Sequence, residues 1–209
     1  MSVEAPTILY ERALLEGGIR VVAGIDEAGR GALAGPVVAA AVVLPLAQGD
    51  LLDSLAGVRD SKQLSPRQRE SAAESIRAMA RCWGIGAASH QEIDEQGIVP
   101  ATHRAMRRAL HDLPLDPDYL LLDYEILRED ERPQTALVRG DACCLTIAAA
   151  SILAKVERDR RMVEFDQIYP GYGLARHKGY ATRFHRAALN DLGPSPIHRL
   201  SYTPVAATI

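Results

Sequence analysis

The chain has 209 residues, enough for one domain with a small appendage, and its 47% apolar content can fill an ordinary core. A formal net charge of −3 gives no global basic signal, so any nucleic-acid site must rest on local basic patches or on metal ions. Three cysteines, Cys82, Cys143 and Cys144, lack zinc-finger spacing, which argues against structural zinc and fits free thiols in a reducing cytoplasm.

The opening MSVEAPTILYERALL has no basic stretch ahead of a long apolar run, so no signal peptide is expected. Residues 10–16 read as a short helix stopped by Gly17-Gly18. Residues 20–27 read as a strand, apolar until it closes on Asp26 and Glu27. A glycine-rich turn leads to a second strand over 36–44, apolar on both faces and near enough for an antiparallel pair. The apolar stretch 32–46 is broken by Gly35, Pro36 and Pro45, and it falls short of the roughly 20 residues that a membrane span needs.

Ser65-Pro66-Arg67-Gln68 is a capping box with proline at the first helical position. Ala72, Ala73, Ile76, Met79 and Ala80 give that helix a buried stripe. Residues 83–88 form a third strand, weakened by two glycines. Residues 98–110 form a helix with Arg104, Arg107, Arg108 and His111 along one side. Residues 119–123, YLLLD, are a fourth strand that again ends in an acid, and 135–138 a short fifth. A long helix runs from Cys143 to about 168, ended by Tyr169-Pro170-Gly171. The tail is loop-rich, with one helix over 182–192. This order predicts an α/β fold: a mixed five-stranded sheet flanked by helices. The expected division is an N-terminal extension (1–19), a main domain (20–170) and a C-terminal extension (171–209) packed on it.

In such sheets functional groups gather beyond the carboxyl ends of parallel strands. Asp26 and Asp123 both stand at strand ends, and they meet if those strands are neighbours. Glu27 follows Asp26, and Asp141 sits in VRGDACC ahead of the long helix. Like charges about 4 Å apart repel by about 4 kcal/mol at an effective dielectric near 20, so such a cluster needs protons or a cation. Oxygen-only ligands suit Mg²⁺ or Mn²⁺, and two such ions support an in-line phosphoryl displacement. Taken singly, each acid is better read as a helix cap or a solvated turn residue, Asp141 included. Strand neighbours point to opposite faces, so Glu27 joins Asp26 only if the strand breaks there, which Gly29 and Gly31 would allow. GRGALAG misses the dinucleotide spacing, and no GxxxxGK[ST], HExxH or GxSxG motif is present. His177 and His185 read as ordinary polar loop residues.

The stretch GIDEAGRGALAGPVVAAAVVL (24–44) resembles the first motif of type 2 ribonucleases H, the bacterial ribonuclease HII group. DSKQLS (60–65), EID (92–94), LLLD (120–123), GDA (140–142), IAAASILAKVERD (147–159), HKGYATRFH (177–185) and PIHRLSYTPV (196–205) are similar to further family motifs, in the family's order. The resemblance implies an RNase H-like fold with a small helical and loop C-terminal extension. It implies hydrolysis of the RNA strand of RNA–DNA hybrids, and incision 5′ to single ribonucleotides in duplex DNA, leaving 3′-hydroxyl and 5′-phosphate ends. The implied cofactor is Mg²⁺ or Mn²⁺, held by Asp26, Glu27, Asp123 and Asp141. Gly29, Arg30 and Gly31 match the ribonucleotide sensor, whose backbone meets the 2′-hydroxyl that separates RNA from DNA. Tyr180 matches the tyrosine that stacks on the deoxyribose at the junction. Lys62, and Lys178 likewise, are expected to face backbone phosphates. The GRG turn and the HKGY tyrosine favour type 2 over the related type 3 enzyme.

Arg158, Arg160 and Arg161, like the arginines at 104, 107 and 108, read as solvated helix faces. Ala148 to Ser151 read as close packing against the sheet. The chain departs from the family at Tyr124 (usually glycine), Arg139 (commonly lysine), Ala32 (frequently proline) and Gly97 (frequently asparagine). If position 124 needs φ > 0, its loop must rearrange. A cytoplasmic monomer is expected, with no membrane contact, no clamp-binding tail and no evident protein partner.

Overall fold

Strand β1 (Val22–Ala28) is apolar until its last turn because it runs through the centre of a five-stranded sheet. The computed structural model describes residues 5–209; the first four residues of the expected N-terminal extension lie outside the described residues. β2 (Val37–Val43) is buried at every position, as an unbroken VVAAAVV run covered on both faces should be. β1, β2 and β3 (Cys82–Ala88) pair antiparallel. β1 pairs parallel with β4 (Tyr119–Asp123), and β4 with β5 (Gln134–Leu137), giving the order β3-β2-β1-β4-β5. This is the mixed sheet expected from the sequence. Ile25 is in register with Leu122, so the carboxyl ends of β1 and β4 lie side by side, each carrying its aspartate.

In chain order the helices are α1 (Leu9–Glu16), α2 (Leu51–Ser54), α3 (Pro66–Met79), α4 (His90–Gln96), α5 (Ile98–His111), α6 (Gly140–Cys143), α7 (Leu145–Ile168), α8 (Leu174–His177), α9 (Arg183–Leu192) and α10 (Thr203–Ala206). α3 and α7 cover one face of the sheet, with Val42, Leu44, Ile76, Ile152 and Leu153 in the shared core. α5 covers the other, packing Met106 onto Ile25, Val43, Leu120 and Leu122. Glycine sets both approaches. A Cβ on Gly24 would sit 2.3 Å from the Thr146 carbonyl carbon, so α7 rests directly on the β1 backbone. The two glycines that weaken the third strand in sequence are seats for α5: Cβ atoms on Gly84 and Gly86 would lie 2.2 and 2.0 Å from the carbonyls of Ala109 and Ala105.

α7 starts two residues later than its sequence pattern suggests, because α6 forms a separate turn before it. No side chain of its own caps it. Glu11 of α1, wholly buried, serves instead: its Oε1 accepts the Thr146 N–H at 2.9 Å, the Thr146 hydroxyl at 2.7 Å and the Cys144 thiol at 3.2 Å. A carboxylate there satisfies orphan N–H groups and meets the positive end of the helix dipole.

Among the described residues three non-glycine residues take left-handed backbone: Tyr124 (φ 63°), Arg139 (φ 59°) and Lys178 (φ 53°). Position 124 does take positive φ, without a glycine. Tyrosine adopts the conformation, at a cost of about 1 kcal/mol, with its N–H donating to Leu137 O at 2.8 Å and its side chain exposed.

Beyond Tyr169 the chain folds back over the β1–β2 turn, where Leu33, Met162, Tyr172, Leu174, Leu189 and Ile197 form a core of their own. A chain of histidines runs through it. Ser195 N–H donates to His198 Nδ1 at 2.9 Å, which leaves the His198 proton on Nε2, 2.9 Å from His185 Nε2. His185 Nδ1–H then donates to Tyr180 O at 3.0 Å. His177 stacks on His185 with centroids 4.5 Å apart. These histidines do have polar structural roles, inside the fold rather than on a loop surface.

Glu11→Ala leaves the Thr146 donors buried without a partner and should lower the unfolding free energy by about 2 kcal/mol. Urea midpoints measure this; a change under about 0.5 kcal/mol would show that the cap is dispensable. Burial first, and then the His185 neighbour, holds His198 down to about 4; burial also lowers His185 and His177. A lowered histidine contributes stability that is complete above the unfolded value near 6.5 and is lost as pH falls through the folded value. The thermal midpoint should therefore decline from about pH 6.5 downward, before most carboxylates titrate. A flat midpoint between about pH 7 and pH 5 would contradict a neutral histidine chain.

Candidate active site

Asp26, Asp123 and Asp141 each bring a carboxylate oxygen to within 4.8 Å of the others. The first two come from adjacent strand ends. Asp141 reaches them because Asp123 Oδ1 accepts the Gly140 N–H at 2.7 Å, fixing α6 against β4. A Cβ on Gly140 would lie 2.7 Å from Ile147 Cδ1, so a larger residue there would have to displace that side chain's tip. Asp141 lies inside the first turn of α6, and the capping of α7 falls to Glu11.

Asp26 is 4% exposed. Burial, then the charges of Glu27 and Asp123, raise its carboxyl well above the ordinary carboxylate range. Hydrogen bonds from Ser151 and from the Glu27 N–H, at 2.7 Å, oppose this. Burial and then Asp141 raise Asp123. The Lys62 ammonium lies 3.1 Å from Asp141 Oδ2. Burial would lower that lysine, but Asp141, followed by Asp60 and Asp26, outweighs it and raises it. Behind the cluster Ser61 and Ser151 share a hydroxyl hydrogen bond at 3.0 Å. Sequence alone assigned Ser151 only to packing.

Glu27 lies outside the three-aspartate group but within its field, since its charge raises Asp26 and that of Asp123 raises it in turn. β1 stays regular through Ala28, pairing Glu27 with Ala39, so Glu27 leaves the strand on the side opposite Asp26. Its carboxylate lies 3.4 Å from Arg30, which also approaches Glu125 at 3.6 Å. Burial raises Glu27, and Arg30 partly offsets this. Gly29 has φ 99°, and a Cβ there would lie 1.9 Å from Arg158 Nε. Gly31 is different: a Cβ there would meet nothing within 4 Å.

Arg158 corrects the sequence expectation of a solvated arginine, for it is wholly buried. It donates to Pro36 O at 3.0 Å, Ala34 O at 3.1 Å and Lys178 O at 2.9 Å. Arg199, also wholly buried and not singled out by sequence, donates to Gly35 O at 3.0 Å and Arg30 O at 2.8 Å. The carbonyls of the turn after β1 point inward, where they require donors. The available signal was spacing: Ser151, Ala154, Arg158 and Met162 form one buried helical stripe. Tyr180 is bridged to Ala32 on this turn, with Arg158 5.4 Å and Lys155 5.5 Å from its ring centroid.

An all-oxygen set of clustered carboxylates suits a hard divalent cation, and Asp26, Asp123 and Asp141 could hold one. Among the described residues no helix is long and apolar enough to cross a membrane. The sequence model of the family described as Ribonuclease HII matches residues 23–205. A ribonuclease HII of Dehalococcoides mccartyi is 48% identical over 209 residues, covering 100% of this chain and 97% of its own. One of Roseiflexus castenholzii is 51% identical over 203 residues, covering 96% and 89%. The crystal structure of ribonuclease H2 from Pyrococcus horikoshii superposes with a TM-score of 0.77 at 28% identity, covering 90% of this chain and 97% of that one. With its acid cluster at the strand ends, its sheet order and this likeness along nearly its whole length, the chain belongs to the ribonuclease HII family and is a metal-dependent endoribonuclease.

Proposed function

We propose that the enzyme, beyond acting on RNA–DNA hybrids, incises duplex DNA 5′ to a single embedded ribonucleotide, leaving 3′-hydroxyl and 5′-phosphate ends. The observation that carries this is the junction of two features: three aspartates within 4.8 Å of one another, and beside them a turn clamped to Tyr180. Asp26, Asp123 and Asp141, joined by Glu27 when it leaves Arg30, hold two Mg²⁺ or Mn²⁺ ions. Bound there, such ions supply an activated water and charge stabilisation at the leaving 3′-oxygen. The protein's own groups position the strand. Backbone at 29–31 meets the ribose 2′-hydroxyl, and the open space over Gly31 leaves room for it. Arg30 and Lys62 carry charge to the flanking phosphates. Tyr180 receives the next deoxyribose. The enzyme works as a cytoplasmic monomer.

The direct test is an end-labelled DNA duplex with one ribonucleotide, incubated with Mg²⁺, Mn²⁺ or EDTA. One cut 5′ to the ribonucleotide, lost in EDTA, is expected. Cutting confined to long hybrids would keep the acid site and remove the single-ribonucleotide reading, leaving a type 3 specificity.

Asp26→Asn and Asp123→Asn should each reduce cleavage below about 1% of wild type. Both relieve like-charge crowding, so their melting temperatures in EDTA should equal or exceed that of wild type. The Mn²⁺-induced rise seen in wild type should vanish. Normal turnover by either variant would sink the metal assignment. Stacking on an aromatic ring is worth about 1–3 kcal/mol, so Tyr180→Ala should slow single-ribonucleotide incision about 10-fold or more while long hybrids change by less than about threefold. Equal losses on both substrates would exclude a junction-reading role.

A further inference from the structure

Past Tyr180 lies a set of charges that the proposed reaction leaves unused. An open groove of about 580 Å³ runs between α3, α7 and the 176–180 segment, with Tyr180 at one end. Two of its cations share one carboxylate, and a third stands beside them. Lys155 Nζ lies 2.6 Å from Asp159 Oδ1, and Arg69 lies 3.8 Å from Asp159 Oδ2. Lys178 comes in from the left-handed turn beside Tyr180, its ammonium on the Ala175 carbonyl. The other charges of the lining balance: Arg160 is engaged by Glu164, and Arg176 offsets Glu70.

These are not ordinary solvated ion pairs. The side chains of Lys155 and Arg69 are only 18% and 12% exposed. Burial lowers both lysines; Asp159 opposes this on each, and Asp166 on Lys178, while neighbouring cations add to the lowering: Arg158 and Arg69 on Lys155, Lys155 and Arg69 on Lys178. The i,i+4 pair with Asp159 accounts for one cation. Arg69 also holds the carbonyls of Ser61 and Leu64, and Lys178 makes no ion pair among the described residues, only a hydrogen bond to the Ala175 carbonyl. A partly buried concave surface with surplus positive charge favours an anion, since each desolvated cation gains from one.

We propose that this groove is a subsite for a phosphodiester of the strand that leaves Tyr180 on the 3′ side of the ribonucleotide, with Lys155 and Lys178 as its ligands. The assignment rests on the functional reading above, which seats a deoxyribose on Tyr180. Lys155 Nζ is 5.5 Å from that ring centroid, so the next phosphate of the same strand falls within its reach. Asp159 occupies part of the subsite charge and acts as a competitor that weakens binding.

The test is fluorescence anisotropy of a labelled duplex with one ribonucleotide, in EDTA, across a series of KCl concentrations. Lys155→Gln and Lys178→Gln should each weaken binding about 5- to 10-fold and each reduce the slope of log affinity against log salt, by about 0.9 in the double variant, since the two lysines share one phosphate. Asp159→Asn should tighten binding, the opposite sign. On a duplex trimmed to one deoxynucleotide 3′ of the ribonucleotide, all three variants should match wild type. Unchanged slopes for both lysine variants, equal losses on the trimmed duplex, or weaker binding by Asp159→Asn would each overturn the subsite. Melting temperatures, and retention of binding by Lys155→Arg, separate a lost charge from a disturbed fold. Wild-type cleavage is scored separately: no cut at a lone ribonucleotide would defeat the functional reading, whereas the slope changes report on the groove alone.

Discussion

Two guanidiniums buried without a carboxylate hold the working end of this enzyme together. Arg158 and Arg199 donate to five backbone carbonyls, those of Arg30, Ala34, Gly35, Pro36 and Lys178. Burial lowers Arg158 to about 10, which still leaves it charged at neutral pH. Carbonyl dipoles therefore replace a counter-ion, and losing one is costly, since a buried polar group left unpaired costs about 1–3 kcal/mol and a charged one more. The turn after β1 and the segment carrying Tyr180 are thus one rigid unit. Gly29 follows from the same constraint, because Arg158 fills the space that a side chain there would need.

Beside this unit the sheet gathers acids that repel one another. Raised carboxyls at Asp26, Glu27 and Asp123 mean that the folded chain itself disfavours their ionised forms. The scaffold around them is tied by hydrogen bonds, from the Glu11 Oε1 cap on α7 to the histidine chain behind Tyr180. The stability surrendered at the strand ends is the stability that a divalent cation returns. Arg30, caught between Glu27 and Glu125, makes the same point at the edge of the site: its charge is neutralised until other charges arrive.

Much of this was legible in residues 20–142. Apolar runs closing on acids gave the strands, and the parallel neighbour rule brought Asp26 to Asp123. The capping box gave the start of α3, and small residues gave the close seat of α7. What stayed hidden has a common cause: contacts across long sequence separations leave no periodic trace. Glu11 looks like a surface acid of a short amphipathic helix, yet it caps a helix 135 residues away. Arg158 looks like its exposed neighbours Arg160 and Arg161, and only its place on a buried stripe distinguishes it. The motif-level resemblance grouped Glu27 with the aspartates; strand alternation starts its side chain on the other side, where Arg30 holds it, while its charge still acts on Asp26. Tyr124 pointed to a rearranged loop if its position needed positive φ; the tyrosine itself takes the left-handed conformation.

These long separations bear on the order in which the molecule can be assembled during synthesis. The antiparallel strands β1, β2 and β3 come off the ribosome first, at about 5–20 residues per second, and can pair early. The centre of the sheet cannot close until β4 follows, with Asp118 reaching back to Val21 across 97 positions. The turn at Arg30 receives its Arg199 clamp only across 169 positions. A nascent chain therefore carries Asp26 and Glu27 long before the turn that follows them can receive its last clamp, which waits until residue 199 has emerged and docked.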